Sequence, residues 1–160
     1  MTIKKFSGGC QCGAVRFHVS GALGESSVCH CRMCQKASGA HALALVSVRD
    51  ADFAWTRGAP AWFQSSNAAK RGFCAACGTP LAYDAPDGLS IAVASFDQPD
   101  LLPPVISYGV EAKLKWADGV AQLPERLTMD DAEAEAFLKT LVTFQHPDHD
   151  TESWPPKDKT

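Results

Sequence analysis

The sequence contains no run of basic residues and no long run of apolar residues. Lys and Arg together number 15 against 18 Asp and Glu, so the formal net charge is -3 at pH 7. A nucleic-acid-binding domain usually carries a basic patch, and this composition therefore disfavours that class. No apolar stretch approaches the roughly 20 residues that a membrane-spanning helix needs. We expect neither a nucleic acid nor a membrane as a partner.

The first residues also lack the apolar segment of a secretory signal. Residues 1–5 are followed by Phe6-Ser7-Gly8-Gly9, whereas a signal peptide has an apolar core of about 7 to 15 residues. We therefore expect a cytoplasmic protein, in which thiols stay reduced and clustered cysteines bind metal more often than they form disulfides. The odd count of seven cysteines agrees with this, because disulfide pairing would leave one over.

The apolar pattern predicts a mainly β protein. A chain of 160 residues that is 46% hydrophobic is ordinary for one packed domain. Alternating or continuous apolar segments predict extended structure at 14–20, 41–48, 53–56, 61–65, 89–96, 105–108 and a segment ending near Trp116. The segments 53–56 and 61–65 are rich in aromatic residues, which we expect to pack in the core.

One helix is predicted late in the chain. Thr128 is a suitable N-cap, and Asp130 and Asp131 favour the first turn through the helix dipole. The apolar stripe that follows contains Ala134, Phe137, Leu138, Leu141 and Val142. We expect this helix to pack on a sheet.

The composition changes near residue 146. Residues 1–145 are predicted to form a single zinc-binding domain, and residues 146–160 are polar and contain three prolines. Such a composition is typical of a mobile tail. We therefore expect His146 to be solvated there, not to bind a metal.

All seven cysteines fall into three short motifs. These are C-x-C at Cys10 and Cys12, C-x-C-x-x-C at Cys29, Cys31 and Cys34, and C-x-x-C-G at Cys74 and Cys77. Each motif can place its sulfurs about 2.3 Å from one zinc, and tetrahedral sites usually combine two motifs distant in sequence. In the simplest partition, the first and third motifs form a closed structural site. The central motif then surrounds a second, open zinc.

Two other interpretations of the cysteines remain. A zinc-ribbon core would combine Cys31 and Cys34 with Cys74 and Cys77, leaving the other three cysteines outside. A C-x-x-C pair can also perform thiol redox chemistry, as in thioredoxin-like proteins. No βαβ pattern surrounds either pair, however, which argues against the redox interpretation.

An open zinc with three thiolate ligands has a definite chemical use. Its fourth position can take water or an incoming thiol, and the metal lowers the pKa of that thiol so that a reactive thiolate forms at neutral pH. Three thiolates donate much charge and make the zinc a weak Lewis acid, which suits thiol substrates. His30 and His41 are the nearest candidates for a neutral fourth ligand or a proton carrier.

Three blocks of the sequence resemble a known family. GCQCGAVRF at 9–17, CHCRMCQKASG at 29–39 and GFCAACGTPL at 72–81 are similar to the signature blocks of the glutathione-dependent formaldehyde-activating (GFA) family, shared with centromere protein V. The resemblance covers about residues 5 to 125. It implies two curved antiparallel sheets, the so-called β-tent, with zinc knuckles, to which the predicted C-terminal helix is added. The chain departs from the family pattern at Ser107-Tyr108, where many members have His-Ile.

The resemblance also implies an activity and a set of ligands. Two zinc ions are implied, a structural one held by Cys10, Cys12, Cys74 and Cys77 and a labile or catalytic one held by Cys29, Cys31 and Cys34. The implied reaction is the condensation of formaldehyde with glutathione to S-(hydroxymethyl)glutathione, classed as a carbon-sulfur lyase activity. Small thiols and aldehydes would be the partners, with glutathione as a co-substrate. Lys36 and Arg71 are candidates to bind a carboxylate of that tripeptide.

Overall fold

The structure, a computed structural model, describes residues 4–155 and consists mainly of β-strands. In chain order the strands are β1 (Lys5–Gly9), β2 (Arg16–Ser20), β3 (Ser26–Cys29), β4 (Leu43–Ser47), β5 (Asp52–Arg57), β6 (Ala61–Gln64), β7 (Lys70–Phe73), β8 (Pro80–Ala85), β9 (Gly88–Ala92) and β10 (Ile106–Tyr108). A smaller sheet has the order β1-β2-β5, and a larger sheet has the order β10-β3-β4-β9-β8-β7-β6. The prediction of a mainly β fold with two sheets is confirmed.

The sheets are antiparallel except at one edge. Strand β10 pairs in parallel with β3, so the expectation of purely antiparallel sheets is wrong for this pair. A parallel pair needs a long connection, and here the connection contains β4 to β9. The parallel pairing brings Tyr108 opposite Cys29, at the point where the central cysteine motif begins.

One hydrophobic core joins the two sheets. Strand β2 alternates as predicted, with Phe17 and Val19 fully buried and His18 on the exposed face. The Phe17 ring stacks on Phe53 with centroids 5.7 Å apart. The same core cluster contains Leu81 from the larger sheet. The smaller sheet is therefore held against the larger one by burial of aromatic and aliphatic side chains.

The aromatic residues of β6 do not enter this core. Trp62 and Phe63 are exposed, Phe63 by 62%, whereas Phe53 and Trp55 of β5 pack against the core as predicted. The core-packing expectation is therefore wrong for 61–65. The physical reason is position, because β6 is the last strand of its sheet and has a neighbour on one side only.

Two α-helices occur within the described residues. Helix α1 (Arg32–Ser38) was not predicted, although Gly39 ends it in the left-handed conformation with φ 66°, as glycine often does. Helix α2 (Ala132–Leu138) is the predicted C-terminal helix, but Asp131 is its N-cap, not Thr128.

Helix α2 also differs from its prediction in packing. Most of its apolar stripe remains exposed, with Phe137 at 63%, and Ala134 and Leu138 are only half-buried, so the expected packing of this stripe on a sheet is wrong. The helix ends at Leu138, and Leu141 and Val142 lie beyond it.

The prediction of an extended segment ending near Trp116 is also wrong, because 3-10 turns occupy Val110–Ala112 and Ala117–Gln122. No helix within residues 4–155 is long and apolar enough to cross a membrane.

Candidate metal centre

The fold gathers the seven cysteines into two groups. One contains Cys10, Cys12, Cys74 and Cys77, and the other contains Cys29, Cys31 and Cys34. The sulfur atoms within each group all lie within 4.8 Å of one another, and all seven thiols are free. This is the grouping of the simplest partition. The zinc-ribbon combination of the second and third motifs is not formed.

The four-sulfur group has the dimensions of a tetrahedral zinc site. The Sγ atoms of Cys10 and Cys12 lie 3.6 Å apart, and those of Cys12 and Cys74 lie 3.8 Å apart. Zinc-sulfur bonds of about 2.3 Å at tetrahedral angles require sulfur-sulfur separations of about 3.8 Å. These two separations, and four sulfurs that all lie within 4.8 Å of one another, are compatible with a structural zinc.

Two tight turns aim these sulfurs at one point. In the first, the N–H of Cys10 donates to the carbonyl of Val15, and in the second the N–H of Cys74 donates to the carbonyl of Thr79. Gly13 and Gly78 adopt positive φ values of 81° and 78°, a conformation that favours glycine. The hydroxyl of Thr79 accepts a hydrogen bond of 3.0 Å from the N–H of Gln11. This bond joins the two turns directly.

The thiols of this group differ in pKa. Burial raises the pKa of Cys77, but hydrogen bonds from Thr79 and the N–H of Cys12 outweigh this effect and lower it to about 6. Burial raises the pKa of Cys12 to about 12. Hydrogen bonding therefore favours the thiolate of Cys77 over that of Cys12, and a bound cation would deprotonate the remaining thiols.

Residues 146–155 pack against the first turn. The N–H of His146 donates to the carbonyl of Gln11 at 2.7 Å, and the Trp154 Nε1 atom donates to the carbonyl of Cys12 at 2.6 Å. His146 is only 4% exposed, so the expectation that it is solvated is wrong. A side chain on Gly13 would collide with its imidazole ring. His146 belongs to neither cysteine group, and the division at residue 146 stays a prediction.

A partly buried ion-pair network holds the same segment. Arg16, itself buried, pairs with Asp97 at 2.6 Å and with Asp150 at 2.8 Å. His18 Nε2 lies 2.6 Å from the carboxylate of Asp150. Burial raises the pKa of Asp97, but hydrogen bonds from Arg16 and Ser7 outweigh this effect and lower it. Strand β2 is thereby tied to the chain end that covers the four-sulfur group.

The three-sulfur group forms where a strand ends and a helix begins. Cys29 is the last residue of β3, and Cys31 is the N-cap of α1. The Cys31 sulfur accepts a hydrogen bond of 3.4 Å from the N–H of Cys34. Burial raises the pKa of the Cys31 thiol. Hydrogen bonds from Cys34, Cys29 and the N–H of Met33 together outweigh burial and lower this pKa. The helix cap therefore orients one sulfur and stabilises its thiolate.

Gly109 is a residue of this site that the sequence analysis missed. It has φ 64°, and a Cβ atom placed on it would lie 2.7 Å from the backbone nitrogen of Cys31. Only glycine permits this approach without strain. Its position directly after β10 was the available signal, but the parallel pairing that brings it to Cys31 cannot be read from local sequence.

The protein supplies three ligand atoms to this group. Among residues 4–155, no histidine or carboxylate joins the three sulfurs within 4.8 Å. His30 is buried, and its Nδ1 has no hydrogen-bond partner in the described structure. The His30 and His41 ring centroids are 6.3 Å apart. Neither imidazole is therefore positioned as a fourth ligand.

Arg71 contacts the group from strand β7. Its Nη2 donates to the Cys34 sulfur at 3.4 Å, its Nε donates to the hydroxyl of Ser65 at 3.0 Å, and its guanidinium lies over the Tyr83 ring. Burial raises the pKa of Cys34 to about 12 even though Arg71 opposes the shift. Lys36 lies exposed on α1. The structure thus assigns Arg71 a contact with a ligand atom that the sequence analysis did not foresee.

Known proteins resemble this chain in fold and in sequence. A crystal structure of a Rhodobacter sphaeroides protein matches with a TM-score of 0.51 and 24% identity, over 63% of this chain and 98% of that chain. At this identity the likeness shows the fold alone. A search of curated proteins finds no match. The model of the family described as glutathione-dependent formaldehyde-activating enzyme matches residues 5–111, which include all seven cysteines. Since this match covers more than half of the chain, the protein belongs to the glutathione-dependent formaldehyde-activating enzyme family.

Proposed function

We propose that this chain is a zinc-dependent carbon-sulfur lyase or condensing enzyme. It joins or separates a small thiol such as glutathione and a small aldehyde such as formaldehyde. The observation that carries the proposal is the contrast between a complete four-sulfur group and a second group that has only three. Membership of the family supports the same reaction class. The proposal includes a cytoplasmic location, where glutathione keeps thiols reduced.

Each residue of the three-sulfur group has a definite task in this proposal. Cys29, Cys31 and Cys34 would hold the second zinc, which when bound supplies an open coordination position and lowers the pKa of a thiol. Arg71 donates to the Cys34 sulfur and offsets part of the negative charge of three thiolates. Without such a cation the group would repel the anionic form of an incoming thiol.

The reaction itself requires one proton transfer. In the condensation, the thiol sulfur forms a bond to the aldehyde carbon, and the proton of the thiol passes to the former carbonyl oxygen. The reverse reaction breaks the carbon-sulfur bond and returns the proton to sulfur. His30 Nδ1 is buried and without a partner among the described residues, and such an atom costs about 1 to 3 kcal/mol when unsatisfied. We assign to this atom the task of holding the proton.

A non-catalytic zinc scaffold is the second candidate function. Apolar side chains are exposed along the C-terminal part of the chain, including Leu127, Phe137 and Phe144. A contiguous apolar surface often marks a protein interface. A scaffold of this kind would bind a small thiol or a protein partner without turning over a substrate.

A metal and turnover experiment separates the two functions. We expect the purified protein to bind two zinc ions, and glutathione to change the absorption spectrum of a cobalt-substituted second site. Exchange of formaldehyde with its glutathione adduct, followed by NMR, should then accelerate in the presence of the protein. Thiol binding without faster exchange would support the scaffold.

A single substitution tests the assignment of the second site. Cys31→Ala should reduce the zinc content from two ions to one and abolish the faster exchange, while the circular dichroism spectrum stays native. The four-sulfur group is untouched by this change. Global unfolding of the variant would contradict a site that is dispensable for the fold.

A further inference from the structure

Two recesses are lined by Arg71, the residue that donates to the Cys34 sulfur. The first has a volume of about 290 Å³ and is lined mostly by apolar residues, among them Leu43, Leu45, Phe73 and Pro80. The second has a volume of about 400 Å³ and lies along α1, where Arg32, Met33 and Lys36 line it. The two recesses share three lining residues, Ala37, Phe63 and Arg71. The two recesses are therefore adjacent, and together they are called the groove below.

The first recess is much larger than the one-carbon hydroxymethyl group of a formaldehyde adduct requires. Arg71 is its only charged lining residue. An apolar cavity of about 150 Å³ already accommodates benzene, whereas formaldehyde contributes one carbon and one oxygen to the adduct. Ligand pockets typically have volumes of about 300 to 1,000 Å³ and are lined by apolar groups with a few polar ones. The volume and the lining fit an aromatic ring or an alkyl chain.

The second recess carries positive charge without a matching carboxylate. Within residues 4–155, no ion pair joins Arg32, Lys36 or Arg71 to an acidic side chain. Arg32 donates only to the amide oxygen of Gln35, at 3.2 Å. Unpaired cations beside an apolar recess favour a ligand that is anionic at one end and apolar at the other.

Arg71 connects this groove to the site of the proposed reaction. It lines both recesses and donates to the Cys34 sulfur. A thiol bound at the three-sulfur group would therefore lie near Arg71, the side chain that lines both recesses. Its carboxylates can face Arg32 and Lys36 while a substituent on sulfur enters the first recess.

We propose that the site accepts adducts of an anionic thiol with a large apolar aldehyde. This inference rests on the proposed function and names its substrate class as aromatic or long-chain aldehydes. The bond change is the same, because the thiol sulfur bonds to the aldehyde carbon and the thiol proton passes to the oxygen. No oxidant or reductant takes part.

Binding of stable thioethers tests the inference without turnover. Isothermal titration of the zinc-loaded protein should show that S-hexylglutathione binds at least about tenfold more tightly than S-methylglutathione, because the longer chain buries more apolar surface. Unmodified glutathione provides the reference. If the two thioethers bind with equal affinity, and unmodified glutathione also binds in its own titration, this inference is overturned while the proposed function stands.

A matched pair of variants locates the apolar end. Ala37 is exposed on α1 and lines both recesses, so Ala37→Phe should block the groove and abolish the preference for the hexyl chain while two zinc ions stay bound. Ala40→Phe adds the same ring at an exposed position and should keep the preference. Retention of the preference in Ala37→Phe would overturn the proposed placement. If neither glutathione nor either thioether binds the wild-type protein, the proposed function fails as well.

Discussion

At the scale of single residues, the second site depends on two groups outside the cysteine motif. Gly109 lets a neighbouring chain approach the backbone of Cys31, and Arg71 donates to the Cys34 sulfur. Arg71 lies on β7 and Gly109 directly follows β10, and both are distant in sequence from α1. The geometry of the three sulfurs is therefore supported by contacts that the motif itself does not contain.

Substitution of Gly109 should damage the second site selectively. Gly109→Ala places a methyl group 2.7 Å from the Cys31 nitrogen and imposes a positive φ on alanine, at a cost of about 1 to 2 kcal/mol from the backbone conformation alone. We expect loss of one zinc ion per chain, measured by atomic emission. Gly119→Ala is the control, because no atom lies within 4 Å of its added Cβ. Two retained ions in Gly109→Ala would show that the close approach is unnecessary.

Substitution of Arg71 should weaken metal binding at the same group. Arg71→Gln removes the positive charge beside the Cys34 sulfur, and hydrogen bonds to charged groups contribute about 1.5 to 3 kcal/mol. We expect the affinity for the second zinc to fall about tenfold or more in competition with a chelator. Arg71→Lys keeps the charge, so its affinity for the second zinc should lie between those of the wild-type protein and Arg71→Gln. An unchanged affinity in Arg71→Gln would limit this residue to a packing role.

At the scale of elements, the C-terminal segment stabilises the first turn of the four-sulfur group. Residues 146–155 contact Gln11 and Cys12 through backbone and indole hydrogen bonds, and Asp150 pairs with Arg16 of β2. This segment lies outside the region matched by the family model. The chain thus adds its own support to a site that the family region already contains.

The ion pairs of Arg16 predict a dependence of stability on acid. The pKa of Asp97 is lowered in the folded protein, chiefly by Arg16 against the effect of burial. Its stabilising contribution is therefore present above the ordinary aspartate pKa of about 4 and is lost as the pH falls through the lowered value. We expect urea unfolding to show a fall in the free energy of unfolding below about pH 4.

The variant Asp97→Asn separates this pair from general acid effects. It should destabilise the protein at pH 7 by about 3 kcal/mol, at the low end for a broken buried pair because Asp150 remains beside Arg16. The fall at acid pH should then be smaller than in the wild-type protein. Equal pH profiles for the two proteins would assign the acid sensitivity to other groups.

At the scale of the whole molecule, the two metal groups differ in their relation to the core. Cys10 and Cys74 belong to the hydrophobic core cluster that joins the sheets, whereas the three-sulfur group lies between a strand end and the short helix α1. Loss of a cation from the first group would leave buried thiols next to the core. Loss from the second would leave the sheets in place.

Graded removal of zinc should therefore occur in two stages. A mild chelator is expected to remove one ion without a change in circular dichroism, and a stronger chelator should remove the second ion with cooperative unfolding. Cys74→Ala should likewise cause unfolding, because it removes a ligand of the four-sulfur group. If both ions leave in one step with unfolding, the two groups are coupled through the fold.

The features that could be predicted from the sequence are those that depend on short spacing and on local residue pattern. Cysteines separated by one or two residues bring their sulfurs together with little ordering of the chain, so the motifs could be recognised as ligand units. The alternation of β2 placed Phe17 in the core for the same local reason. The N-cap and the terminal glycine of α1 were also present, but Arg32–Ser38 is a short helix with a weak apolar pattern.

The meeting of units that are distant in sequence depends on the three-dimensional fold. Arg71 of β7 contacts Cys34 although β4, β9 and β8 lie between β3 and β7 in the larger sheet. The parallel pairing of β10 with β3 places Gly109 against Cys31. The burial of His146 likewise depends on the path of the chain back to Gly13. Such contacts depend on long-range register and strand order, which a local pattern of residue types does not specify. The cysteine spacing therefore indicated the ligands, and the fold determined their surroundings.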